Sequence, residues 1–355
     1  MTAGYFQRMF YGRDLQYQNQ DPECCSMKSY RVLVVTNLWP TESDPGYGSF
    51  VQAQMESLRP LGVEFDTLFI DGRASRWNYL RGIGRMRALL RKERYHLIHA
   101  HFGLSGWVAR CQLRAPVVVS FMGDDVLGRP RRDGSITAYG RFLQASSFLL
   151  ARLVAASIVK SSEMKRKLRL ATAQVIPNGV DLNAFRPIES NRARRALGLD
   201  PQKKYVLFPY DPAEPRKRYD LIQAAVAEAQ AGDPAIEILT VRGVPRERMP
   251  LYMNAADVLV LASIFEGSPN AVKEAMAVNL PVVAVDVGDV REVIGQTEGC
   301  YIVPREVIPM AAKILDVCRH PARTRGREAM ARLSIEQVAE RVLEVYAKAT
   351  KGQNF

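Results

Sequence analysis

From residue 31 onward, short apolar runs rich in Val, Ile and Leu alternate with polar-studded segments of helical length. The runs at 31–36, 64–70, 97–100, 116–120 and 155–159 are short and close on Gly, Pro or Asn, and each predicts a strand. Strands of this kind are buried on both faces by crossover helices, so the pattern predicts a parallel, doubly wound α/β sheet. A second series at 205–208, 237–240, 258–261 and 281–285 predicts another sheet of the same type. Between the two, Val175-Ile176-Pro177-Asn178-Gly179-Val180-Asp181 carries a strand end into a turn, and Phe185-Arg186-Pro187 follows without pattern, as a linker would. Val338, Val342, Val345 and Tyr346 repeat at helical spacing and predict a helix over 335–349 that needs a partner surface.

A chain of 355 residues exceeds what one core usually organises. The expected division is an extension at 1–27, a Rossmann-like domain at 28–186, a second at 187–334, and a crossover helix within 335–355 that returns to the first. Residues 1–27 show neither helical nor strand periodicity and are rich in Gln, Tyr and Asn, and Met27 offers an alternative start.

Composition narrows the class. No apolar run approaches the roughly 18 residues of a bilayer span, and the N-terminus lacks a secretory pattern, which predicts a cytoplasmic protein. Cys24, Cys25, Cys111, Cys300 and Cys318 make no metal-ligand spacing, and no His/Asp/Glu cluster does either, so neither a metal nor another cofactor is expected. The charge is uneven: 26 Lys and Arg face 15 Asp and Glu through Arg186, against 23 and 22 beyond it. Such asymmetry predicts an anionic partner for the first domain. Arg73, Arg76, Arg81, Arg85, Arg87, Arg91, Lys92 and Arg94, led in by Trp77, Tyr79 and Leu80, meet a single acid, Glu93. That segment predicts an interfacial helix on an anionic membrane, with the protein peripheral to the inner face of the cytoplasmic membrane. Nucleic acid is not expected, since no RNP, zinc-finger or helix-turn-helix pattern accompanies the charge.

The sharpest chemistry lies in Glu266-Gly267-Ser268-Pro269-Asn270-Ala271-Val272-Lys273-Glu274, which follows the run 258–261 and opens a helix. Free backbone N–H groups around Asn270, Ala271 and Val272 make an anion site suited to a diphosphate. The two carboxylates cannot bind that phosphate, but both can accept hydrogen bonds from sugar or ribose hydroxyls. The loop Asp44-Pro45-Gly46-Tyr47-Gly48-Ser49 also precedes a helix, so its amides can approach a phosphate or sugar closely.

The spacing of Glu266 and Glu274 resembles the donor-site signature of family 4 retaining glycosyltransferases, which have the GT-B fold: two Rossmann-like domains facing a central cleft. The resemblance runs from Tyr30 to about Tyr346 and includes Asn37-Leu38-Trp39-Pro40, His99-Ala100-His101-Phe102-Gly103 and Pro177-Asn178-Gly179-Val180-Asp181. It implies that Glu274 holds the nucleotide ribose and Glu266 contacts the donor sugar. Gly267, Ser268, Asn270, Ala271, Val272, Gly48 and Val244 complete the donor side. Lys217 matches the family lysine beside the diphosphate. The usual Lys-Gly is Lys217-Arg218 here, and Arg216 is the candidate replacement for an arginine some relatives carry earlier. In Phe121-Met122-Gly123-Asp124-Asp125 the family's histidine is Met122, which transfers no proton. His101 and Asp124 are the candidates to fill that role, with Met122 and Gly123 lining the acceptor side; a packing role is the alternative for His101.

The resemblance therefore implies transfer of a sugar, with retention, from a nucleotide-sugar to a glycan or lipid-linked acceptor, as in cell-surface polysaccharide or glycolipid synthesis. The alternatives are a GT-B sugar-nucleotide epimerase, or a non-enzymatic basic protein that binds nucleic acid or a membrane.

Overall fold

The computed structural model describes residues 29–351. The expected extension at 1–27, with Cys24 and Cys25, lies outside them. The described strands are β1 (Tyr30–Thr36), β2 (Val63–Phe69), β3 (Leu97–His101), β4 (Val117–Ser120), β5 (Ala156–Val159), β6 (Gln174–Val175), β7 (Lys204–Phe208), β8 (Ile236–Thr240), β9 (Val258–Leu261), β10 (Val282–Ala284) and β11 (Cys300–Ile302). They form two parallel sheets, ordered β2-β1-β3-β4-β5-β6 and β11-β10-β9-β7-β8. β6 contains the strand end expected at Val175, whereas β11 is not among the sequence-predicted strands, because three residues carry no readable period.

Each central strand feeds two cores. Leu33 and Val35 of β1 face one side and Val32 and Val34 the other, and Val119 and Val118 of β4 divide in the same way. This explains why the runs are apolar throughout rather than alternating. On one face of the first sheet lie α2 (Trp77–Lys92), α3 (Gly103–Arg110) and, after the short α4 (Asp124–Leu127), α5 (Ala138–Leu153). On the other lie α1 (Ser49–Glu56) and the closing helix Ile335–Ala349.

That closing helix starts where Ser334 Oγ accepts the Gln337 amide, and its predicted stripe is buried on the first sheet. Tyr346 packs edge-on to Tyr30 at 6.1 Å and its hydroxyl lies 2.7 Å from His99 Nδ1. With Ser120 Oγ on its other nitrogen at 2.9 Å, His99 is a packing residue, and burial holds it neutral down to about pH 3.

Candidate active site

The carboxyl ends of both sheets face a cleft of about 1840 Å³, where open α/β sheets bind ligands. On the second-sheet side, β9 runs into the Glu266 loop and then the helix Asn270–Ala277. A 3-10 turn, Pro215–Lys217, sets two cations beside that loop. Lys217 Nζ lies 2.6 Å from Glu266 Oε1, and Arg216 Nη1 lies 2.9 Å from Glu266 Oε2. The Lys217 ammonium also sits 3.5 Å from the centroid of the Tyr210 ring. Burial acts most strongly on this lysine and lowers its pKa from the ordinary value, even against the attraction of Glu266. Burial would raise the Glu266 carboxyl, but the Lys217 and Arg216 charges outweigh it and hold it low. The cluster is thus Glu266 clamped between two cations, of which Arg216 is shared with Glu214 at 2.7 Å, and both cations line the cleft.

Glu274 stands one turn into the helix, buried, with Arg246 Nη2 at 3.0 Å. Burial raises its pKa, and Arg246 opposes that shift. Arg246 also donates from Nη1 to Ser49 Oγ of α1 at 3.2 Å, so it ties the two sides of the cleft together. Pro269 begins the helix without a side-chain cap, which leaves first-turn amides for an anion. Asn178, from the linker, donates to Asn270 Oδ1 at 3.1 Å and fixes that end.

The family model described as Glycosyltransferase Family 4 matches residues 25–184, and that described as Glycosyl transferases group 1 matches residues 215–320. The chain belongs to the family 4 glycosyltransferases.

Among relatives of this glycosyltransferase is the Bacillus subtilis protein TuaC, provisionally named a teichuronic acid biosynthesis glycosyltransferase. It is 25% identical over 347 residues, covering 80% of this chain and 88% of TuaC. The D-inositol 3-phosphate glycosyltransferase of Segniliparus rotundus is 27% identical over 310 residues, covering 73% of this chain and 67% of its own. Sucrose-phosphate synthase from Thermosynechococcus elongatus superposes with a TM-score of 0.76 at 20% identity, covering 92% of this chain and 100% of that one. HepE of Anabaena, solved with UDP and glucose, gives 0.66 at 16%, covering 90% and 99%. These likenesses establish the GT-B fold.

On the first-sheet side of the glycosyltransferase, Gly48 caps α1 at φ 70°, and a Cβ there would lie 2.2 Å from the Leu38 carbonyl carbon, so only glycine fits. Where the two lobes meet, Gly123 and Gly267 pack backbone to backbone. A Cβ on Gly267 would come within 2.7 Å of the Met122 carbonyl oxygen. The Met122 loop is held by Asp125, whose buried carboxylate accepts the amides of Gly103, Met122 and Gly123 at 2.9 to 3.0 Å. Burial raises that carboxyl to about 6 against those bonds.

Met122, Gly123, Asp124, Arg216, Lys217, Val244, Glu266, Gly267, Ser268, Asn270, Ala271 and Glu274 all line the cleft. Others are placed differently. Val272 is fully buried and can offer only its amide. Ser268 turns its hydroxyl inward, donating to Asp289 at 2.6 Å and accepting from Lys273, so its backbone is what faces the cleft. His101, a candidate for proton transfer, is a correction: it is fully buried 4.2 Å from His99, does not line the cleft, and burial holds it neutral. Asp124 does reach the cleft, paired with Arg129 at 2.6 Å. Sequence reasoning missed Arg246 and Tyr210, and read Asn178 only as part of the linker motif. Arg246 sits in the unpatterned stretch 241–248, and no local signal marks it.

Proposed function

We propose that this enzyme transfers a sugar, with retention, from a nucleoside diphosphate sugar to a glycan or lipid-linked acceptor. The observation that carries this reading is the Lys217–Glu266–Arg216 cluster beside the uncapped helix Asn270–Ala277. Two cations and a helix N-terminus stand where a diphosphate would depart, and Glu274 stands one turn deeper, where ribose hydroxyls would reach it. The Glu266 loop meets the donor sugar between them.

Retention is supported by the state of the cleft's carboxylates. Asp124, Asp211, Glu266 and Glu274 each have a cation within 2.6 to 3.4 Å, so none of them stands free as the base of an inverting displacement or as the nucleophile of a double displacement. Same-face substitution assisted by the leaving diphosphate needs neither. The bond from the sugar carbon to the diphosphate breaks, the acceptor oxygen bonds to that carbon from the same face, and the acceptor proton passes to the departing phosphate oxygen. Lys217 and Arg216 stabilise the charge that collects there, and activity is expected to persist in EDTA.

Thermal shift against a panel of nucleoside diphosphates and their sugars tests the donor. Uridine compounds come first, because HepE, with the same fold, was solved with UDP. Stabilisation should grow as ligand exceeds its dissociation constant. A panel without a single stabilising nucleotide would sink the reading.

The same reading places the first lobe on an anionic membrane. No helix among the described residues is long and apolar enough to cross a bilayer. In α2, however, Trp77 is 70% and Leu80 58% exposed beside the exposed Arg81, Arg85, Arg87 and Arg91. Each such cation near an anionic surface contributes about 1 kcal/mol. Changing Arg81, Arg85 and Arg91 to Gln should cut co-sedimentation with anionic vesicles at low salt and leave nucleotide binding intact. Equal sedimentation of variant and wild type would refute the docking face.

A further inference from the structure

The cleft does not end at Met122 and Asp124. The same cavity continues away from Lys217 into a groove along α3, which packs on both α2 and α5 and lies between them. Leu104 and Trp107, one helical turn apart and half-buried, form its floor. Leu80 and Ile83 from α2 and Phe142 and Leu149 from α5 form its walls. Leu80 and Phe142 are each 58% exposed and Leu149 is 54% exposed, an apolar concentration that water-facing helices rarely carry without an occupant.

At the junction of groove and cleft stand arginines. Arg73 is paired with Asp44 and stacked on Tyr47, and Arg129 is paired with Asp124. Arg76 bridges α2 to α5 by lying 5.0 Å from the Tyr139 ring centroid, and it has no ion pair among the described residues. It is a cation at the head of an apolar channel.

We propose that this groove seats the hydrocarbon chain of a lipid-linked acceptor, with Arg76 on its phosphate and its glycan end turned toward Lys217 and Glu266. This rests on the transfer reading above and chooses between its two acceptor classes. A glycan would need hydrogen-bond partners for its hydroxyls along the groove; the six floor and wall side chains named above supply only the Trp107 N–H, and Ser146, which lines the cavity between Phe142 and Leu149, already donates its hydroxyl to the Leu143 carbonyl. A bilayer surface would meet Leu80 and Phe142 but not the recessed Leu104 and Trp107. The eight residues of α3 span about 12 Å, the extended length of roughly ten methylene carbons.

The probe is dodecyl phosphate, kept below its micellar concentration and titrated calorimetrically into the full chain without vesicles. It should bind at least tenfold more tightly than inorganic phosphate. Phe142→Glu combined with Leu149→Glu, both at exposed positions, should weaken it at least tenfold, while stabilisation by nucleotide stays unchanged. Arg76→Gln should weaken dodecyl phosphate but not dodecyl maltoside, which has a chain and no charge. Dodecyl phosphate no tighter than phosphate, or a double variant that binds it like wild type, overturns the groove; so does a double variant that loses only vesicle binding, which would assign these side chains to a bilayer. Nucleotide stabilisation without dodecyl phosphate binding overturns the groove alone. The reverse result supports the groove and overturns the donor reading.

Discussion

Lys217→Ala is expected to lower kcat about a hundredfold at saturating donor, an effect of about 2.7 kcal/mol on the barrier. The ammonium is buried, clamped 2.6 Å from Glu266, and held against the Tyr210 ring, so its position needs no rearrangement when the diphosphate leaves. Its charge matters most as negative charge develops on the leaving group, which is why kcat should fall more than donor affinity. Because burial lowers its pKa, the ammonium is lost as pH rises through a value below the ordinary lysine range. The alkaline limb of kcat should therefore begin below that range, and Lys217→Arg, which keeps its charge, should lose that limb. A folded Lys217→Ala variant with wild-type kcat would remove this residue from the mechanism.

Glu274→Ala should weaken donor binding by about 10- to 150-fold, the range of a charged hydrogen bond worth about 1.5 to 3 kcal/mol. Acceptor KM should change little, because Glu274 lies on the second-sheet wall. Glu274→Gln separates the two contributions of the carboxylate: it keeps the shape and one acceptor oxygen but drops the charge that holds Arg246 at 3.0 Å. Calorimetry with the nucleotide diphosphate checks both variants, and unchanged affinity in a folded Glu274→Ala protein would contradict the ribose assignment.

The parts of this molecule that could be read from sequence are those whose signal is local. The strand 258–261, the acidic loop and the helix after it form one continuous segment, so period and spacing reveal them together. The stripe at 338, 342, 345 and 346 announces a helix face, although not the sheet it covers. The pairing of Lys217 with Glu266 joins residues 49 positions apart, and nothing local to either states that they meet. Arg246 is further out of reach, since its two partners, Ser49 and Glu274, belong to opposite sides of the cleft. His101 misleads for a related reason: a strand-end histidine beside a cleft-facing loop reads as reactive, and only packing shows that its ring lies beneath the surface.

Folding order follows from the helix Ile335–Ala349. Its Val338, Val342 and Tyr346 complete the core around Val34, Val118 and Ile158, which belong to strands made roughly 180 to 300 residues earlier. A ribosome therefore releases the first sheet with one face covered only by α1 and finishes the whole second lobe before the rest of that face is covered. During synthesis the nascent first lobe carries a partly open apolar wall that only this late helix closes.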